Sequence, residues 1–200
     1  DMPSVEKSFF RNLVAAFVAL AILLREGQGF AIKKGTLPFH LGRSILGTIG
    51  ILCNFYAVDH LVLSNASMLN KMSPFFVLVF SFLFLKEKLT HFQVGAVLTA
   101  FVGTLFVIQP TFENLNLGPS LIGLTSGLAA GGAYTCVRYL GLRGENGRLI
   151  VFFFSAFSSA TMLPFLLFNY HYMTWQQWVT LLLAGACAAG GQFSITAAYT

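Results

Sequence analysis

A few polar residues stand out in this chain because each is expensive where it sits. Lys71 precedes Met72-Ser73-Pro74, and from Phe75 to Leu85 the sequence is apolar and aromatic apart from Ser81. A charged lysine near a bilayer centre costs roughly 2.5–3.5 kcal/mol on insertion scales. Pro74 removes a backbone donor and clashes with the preceding helical turn. A membrane helix carrying both lines a cavity instead of facing lipid. Asp59, Asn54 and Tyr134 fall in neighbouring apolar runs. A cation, a carboxylate, an amide and a phenol inside apolar spans suit recognition of a polar solute. Two readings of Lys71 stand at this point: it lines a solute path, or it pairs structurally with Asp59 and so offsets its own desolvation. Asn54 likewise either contacts solute or hydrogen-bonds between helices.

The remaining candidates are positional. Tyr134 and Arg138 are spaced i, i+4 and share a helix face. Arg138 is read as snorkelling to the interface. Glu87 lies between Lys86 and Lys88 and is assigned a structural or gating role. No HExxH, paired-aspartate, GxSxG or Cys/His arrangement is present, so no catalytic residue is assigned. Cys53, Cys136 and Cys187 show no metal-ligand or disulfide spacing, and neither a metal nor a cofactor is expected.

The elements that must hold these residues are membrane helices. Of the 200 residues 56% are hydrophobic and 10% charged, and mean hydropathy is +0.74. Average soluble domains carry about 25% charged residues. Leu149 to Thr200 contains no Lys, Arg, Asp or Glu, and neither does Asn114 to Val137. The net charge of +5 forms no basic patch on polar surface, which argues against a nucleic-acid partner. Seven apolar spans are predicted. Span A covers Phe10 to Leu24, B Ser44 to Val62, C Ala66 to Leu85, and D Phe92 to Gln109, closed by Pro110. Span E covers Pro119 to Val137, F Leu149 to Asn169, and G Trp175 to Thr200. Span C, read as one helix, is about 30 Å long, enough to cross the hydrocarbon core.

Basic residues alternate between loops. The A–B loop has Arg25, Lys33, Lys34 and Arg43; C–D has Lys86 and Lys88; E–F has Arg138, Arg143 and Arg148. The B–C turn (Ser64 to Asn65), D–E loop (Thr111 to Gly118) and F–G loop (Tyr170 to Thr174) have none. The basic loops are therefore expected in the cytoplasm, although Lys7 and Arg11 fall on the other side. Tyr170, Tyr172, Trp175 and Trp178 form an expected aromatic belt. Small residues recur every fourth position at Gly123, Gly127 and Gly131 in span E, at Gly95, Thr99 and Gly103 in D, and around Gly185 and Ala189 in G. Such stripes let helices approach closely, either as fixed packing or as sliding surfaces of a moving bundle. Spans B and G each place one amide, Asn54 or Gln192, among glycines and ahead of an alanine-containing end. The loop charges make them run in opposite directions, as inverted repeats do.

At span C the chain resembles the EamA branch of the drug/metabolite transporter superfamily. The residues that carry the likeness are Asn65-Ala66-Ser67, Ser73-Pro74-Phe75 and Phe84-Leu85-Lys86-Glu87-Lys88-Leu89-Thr90, followed by Gly95 and Gly103. The resemblance implies an all-α multipass bundle of two inverted five-helix repeats. On that scheme residues 1–110 form a first repeat lacking its first helix, and residues 111–200 part of a second. The chain, which starts at Asp1 without a signal-like region, then reads as an internal portion whose first and last two helices lie outside it. The resemblance also implies carriage of small metabolites across the plasma membrane by alternating access, with a substrate cavity between the repeats. Partners on this reading are a small-molecule substrate and the lipid bilayer, with a homodimer as one permitted assembly. The competing expectations are a structural or assembly subunit of a membrane complex and, behind it, an intramembrane enzyme.

Overall fold

The computed structural model describes residues 4–27, 29–88, 90–108, 117–168 and 173–200. Among them every regular element is a helix: α1 (Ser4–Arg25), α2 (Leu37–His60), α3 (Leu63–Asn70), α4 (Ser73–Leu85), α5 (His91–Ile108), α6 (Leu117–Leu142), α7 (Gly147–Phe168) and α8 (Trp175–Tyr199). Five of them are 22–26 residues long, or about 33–39 Å. With α3 and α4 taken together, six spans are long and apolar enough to cross a membrane, and α5 is a shorter apolar helix. The molecule is an all-helical multipass membrane protein.

The chain divides into two compact units, one of Asp1–Ile45 with Cys136–Thr200 and one of Leu46–Thr135. Helices α2 and α6 contribute residues to both.

In the first unit α1 packs on α7 and α8. Its buried face is small: Ala15, Ala16 and Ala19 are covered, with Leu23 below them. Opposite, Gly185 of α8 lies so close to Val14 that a Cβ there would sit 2.7 Å from the valine Cβ. Phe10 meets Trp178 edge-on at 4.9 Å. Thr174 starts α8 with a capping box: its hydroxyl accepts from Gln177 N–H, and the Gln177 side chain accepts from Thr174 N–H. Near the α6–α7 turn, Val137, Leu140 and Ile150 form an apolar cluster against Phe39 and Tyr199.

In the second unit the glycine stripe of α6 is packed against α3 and α4. A Cβ on Gly123 would lie 2.8 Å from Leu69 Cδ1, and one on Gly127 2.6 Å from the Leu69 carbonyl oxygen. One on Gly131 would overlap Phe76 Cβ. Helix α5 joins α3 and α4, with Phe101 edge-on to Phe75 at 4.9 Å.

Several boundaries differ from those read in the sequence. Span C is not one helix. It breaks at Lys71 and Met72, where Lys71 caps α3 and Pro74 enters the first turn of α4. Proline is tolerated there because the first-turn N–H groups have no helical acceptor anyway. The turn before it falls at Leu61 and Val62, not Ser64 to Asn65. Helix α1 begins six residues before span A and α2 seven before span B. Arg43, expected in a loop, is therefore inside a helix. Gly95 and Gly103 have open space around them, so the small-residue stripe of α5 packs on nothing among the described residues. Tyr170, Tyr172, Pro110 and most of the D–E loop lie outside the described residues.

Candidate functional site

In the second unit Lys71 is exposed at the α3–α4 break, and Pro74 beside it is exposed too. Asp59 is exposed near the end of α2. Asn54 and Tyr134 are half-buried, as are Glu87 and Arg138. Glu87 closes α4: its N–H reaches the Ser81 carbonyl at 3.3 Å, after Lys86 adopts a left-handed conformation at φ 54°. Gly123, Gly127 and Gly131 are buried. Their close approach to α3 and α4 fits fixed packing.

The densest polar chemistry is elsewhere, in the first unit. Arg43 is 4% exposed. Its Nη2 donates to Gln192 Oε1 of α8 at 3.0 Å, and its guanidinium lies 3.9 Å above the Phe154 ring of α7. This contact sets an early turn of α2 beside a late turn of α8. Asn12 of α1 donates to Ser158 of α7 at 2.9 Å. Ser8, Ser44, Ser155 and Ser159 are buried with no hydrogen-bond partner for their hydroxyls. Orphan hydroxyls cost about 1–3 kcal/mol each in a dry interior. Helical serines and threonines ordinarily bond back to a carbonyl one turn earlier, as Thr135 does to Gly131.

A second cluster clasps the α1–α2 and α6–α7 loops. Glu145 accepts from Thr36 Oγ1 at 2.5 Å and from the Lys33 N–H at 2.9 Å, and His40 Nε2 is 3.8 Å away. Lys33 Nζ donates to the carbonyls of Arg143 and Gly144. These carbonyls lie just past the end of α6, where cations are favoured and where Gly144 takes φ +68° to end the helix. Burial pushes the Glu145 carboxyl up. The Thr36 hydroxyl, the Lys33 N–H and the charges of His40 and Lys33 outweigh it and hold the carboxyl below its ordinary value.

Sequence reasoning passed over Arg43, Gln192 as a ligand, Asn12 and Glu145. A signal for the first existed. Thr36, His40, Ser44 and Thr48 recur every fourth residue with Arg43 beside them, a polar stripe in helical register. Pro38, between Thr36 and His40, marks a helix start. No group of metal-ligating residues that could hold an ion exists among the described residues.

Residues 1–109 match the EamA-like transporter family. The whole chain is 32% identical to the pseudopaline exporter CntI of Pseudomonas aeruginosa (strain UCBPP-PA14) and spans 69% of that protein. It is 31% identical over 130 residues to a riboflavin transporter of Brucella anthropi, covering 65% of this chain and 45% of the relative. Over 112 residues it is 28% identical to human solute carrier family 35 member G1, covering 56% of this chain and 31% of the relative. Six membrane-length helices, a polar interior and these likenesses agree: the chain belongs to the EamA-like transporter family, and is a small-molecule membrane transporter, not an enzyme.

Proposed function

We propose that the protein is a secondary carrier that moves a small metabolite across the plasma membrane by alternating access. The observation that carries this reading is the buried polar interior of the first unit, where Arg43, Gln192, Asn12 and a row of serines occupy membrane-length helices. A scaffold has no use for such a row, since replacing orphan hydroxyls by apolar groups would stabilise it. Two inverted repeats, divided near residue 110, supply the halves that rock, and the basic loops face the cytoplasm. The contact of early α2 with late α8 supports opposite helix directions. Asn54, Tyr134, Asp59 and Pro74 remain candidate path residues.

The test is saturable counterflow in proteoliposomes, with riboflavin and pseudopaline, the cargoes named for two relatives, as the first probes. Metabolite profiling of cells with and without the protein widens the search. The expected result is concentration-dependent movement of one solute. Lys71→Met is expected to lower that flux roughly tenfold, the worth of one charge-assisted contact, and to leave membrane insertion intact. Wild-type flux in a well-inserted Lys71→Met protein removes Lys71 from the path. A protein that moves no solute in either assay is a membrane subunit and not a carrier.

A further inference from the structure

We propose that the contacts tying the α1–α2 loop to the α6–α7 loop are the cytoplasmic gate of the carrier, and that opening this latch wets the buried hydroxyls of Ser44 and Ser155 beneath it. This rests on the transporter reading and its cytoplasmic basic loops, and adds to it the residues that close one end of the path.

All of the latch lies in the first unit, and its contacts join residues 26–40 to residues 143–148. With repeats divided near residue 110, it runs from one repeat to the other, where a rocking carrier must part. At its centre the Glu145 carboxylate accepts from the Thr36 hydroxyl and the Lys33 N–H. Lys33 reaches back with its ammonium to the Arg143 and Gly144 carbonyls, at 3.0 and 2.6 Å. Further out, Arg148 in the first turn of α7 pairs with Glu26, just past the end of α1. That outer pair is open to water and holds little by itself. Glu145 is buried, and hydrogen bonds to a charged group are the stronger ones. The inner contacts therefore set the strength of the latch, and water can replace the outer pair as the loops part.

Beneath the latch the packing is closed but its polar groups are not all satisfied. The His40 ring is fully buried between Glu145, 3.8 Å from its Nε2, and the Phe153 ring, 5.2 Å away. Ser44 is one turn further along the same face of α2, and Ser155 is two residues past Phe153 in α7. Both serines are fully covered, and their hydroxyls have no hydrogen-bond partner. A fold that needed its loops only tied would lose nothing with alanine at these two positions, because an orphan hydroxyl weakens the closed state. Water entering from an opened latch supplies the missing partners. Closure thus gains the latch bonds and forfeits the hydration of the serines. Opposed contributions of this kind bring the closed and open states near enough in energy for a solute to shift the balance.

The measurement is the rate at which a small, charged methanethiosulfonate, added from the cytoplasmic side of membrane vesicles, labels a cysteine placed at Ser155. Mass spectrometry reads that site apart from Cys53, Cys136 and Cys187. Ser155→Cys alone should react slowly. Adding Glu145→Ala should speed it at least about tenfold, the worth of one hydrogen bond to a charged group in a local opening equilibrium. Lys33→Gln removes only the exposed ammonium; it should speed labelling by a smaller factor, and it still decides if Glu145→Ala fails to fold. Gly127→Ala is the control for lost stability, since its clash with the Leu69 carbonyl oxygen lies in the second unit. It should leave labelling at Ser155→Cys unchanged. Equal acceleration by Gly127→Ala and the latch variants would mean that the thiol is reached by unfolding, which overturns the proposal. Faster trypsin cleavage at Lys34 with unchanged labelling also overturns it, because the latch would then tie loops and admit nothing. Saturable counterflow of a solute with labelling indifferent to the latch would defeat the gate and leave the carrier standing. Latch-dependent labelling without flux of any solute would support the gate and defeat the carrier.

Discussion

Replacing Gly131 by leucine should leave no stably folded protein, whereas the same change at Gly103 should pass unnoticed. At Gly131 even a methyl group would overlap Phe76 Cβ and stand 3.1 Å from the Ser73 carbonyl oxygen. Both obstacles are at or next to backbone, so no rotamer change relieves them, and α4 must move away bodily. Overpacking costs typically 1–3 kcal/mol even where side chains can yield. Here a four-carbon side chain would also forfeit the contacts of α6 with α3 along the whole stripe. Gly127→Ala should fall between the extremes, because its Cβ would sit 2.6 Å from the Leu69 carbonyl oxygen. Gly103 meets nothing within 4 Å, and a leucine there adds apolar surface to a helix already rich in it. Unfolding can be followed with a thiol-reactive dye, since Cys53 and Cys136 are partly covered in the fold. A Gly131→Leu protein that melts at the wild-type temperature would show that this face is not tightly packed.

These contacts also show where the sequence could be read and where it could not. The spans themselves were legible, because crossing about 30 Å of hydrocarbon demands about 20 apolar residues and the composition supplies them. The glycine stripe of α6 was legible for the same kind of reason, as a four-residue period that only close packing uses. The identical period in α5 was not decisive, since a stripe states what could approach and says nothing of what does. Pro74 and Lys71 were visible as costs, yet the chain lowers the first by breaking the helix one turn earlier. Arg43 lies inside α2 and not in a loop, because charge alone does not mark a loop. The stripe from Thr36 to Thr48 that accompanies it carried the better information. Glu145 could not have been found: the local sequence Arg143-Gly144-Glu145-Asn146-Gly147 reads as a turn, and its partners lie 105 or more residues away.

That carboxylate should be the second most sensitive position in the protein. Glu145→Ala takes the acceptor from the Lys33 N–H and one of two acceptors from the buried Thr36 hydroxyl, which keeps the Lys33 carbonyl at 2.8 Å, and a lost partner of this kind costs about 1–3 kcal/mol where water cannot substitute. A total near 1–3 kcal/mol is expected, since Thr36 keeps one acceptor and Lys33 is exposed to water. Glu145→Gln retains one acceptor oxygen and should lose less. Acid provides an independent check. The carboxyl is held below its ordinary value of 4.5 in the folded protein. Its contribution is therefore fully present above the unfolded value and disappears as pH falls through the folded one. The wild-type midpoint should decline on acidification below about pH 4.5, and the decline should be shallower in Glu145→Gln, which has nothing to protonate there. Opening of the clasp frees the loop around Lys33 from the end of α6, so trypsin should cut at Lys33 or Lys34 faster in Glu145→Ala than in the parent. The two readouts separate local from global effects. Faster cleavage at an unchanged midpoint means the loops alone have parted; an unchanged cleavage rate together with an unchanged midpoint would mean that Glu145 holds nothing.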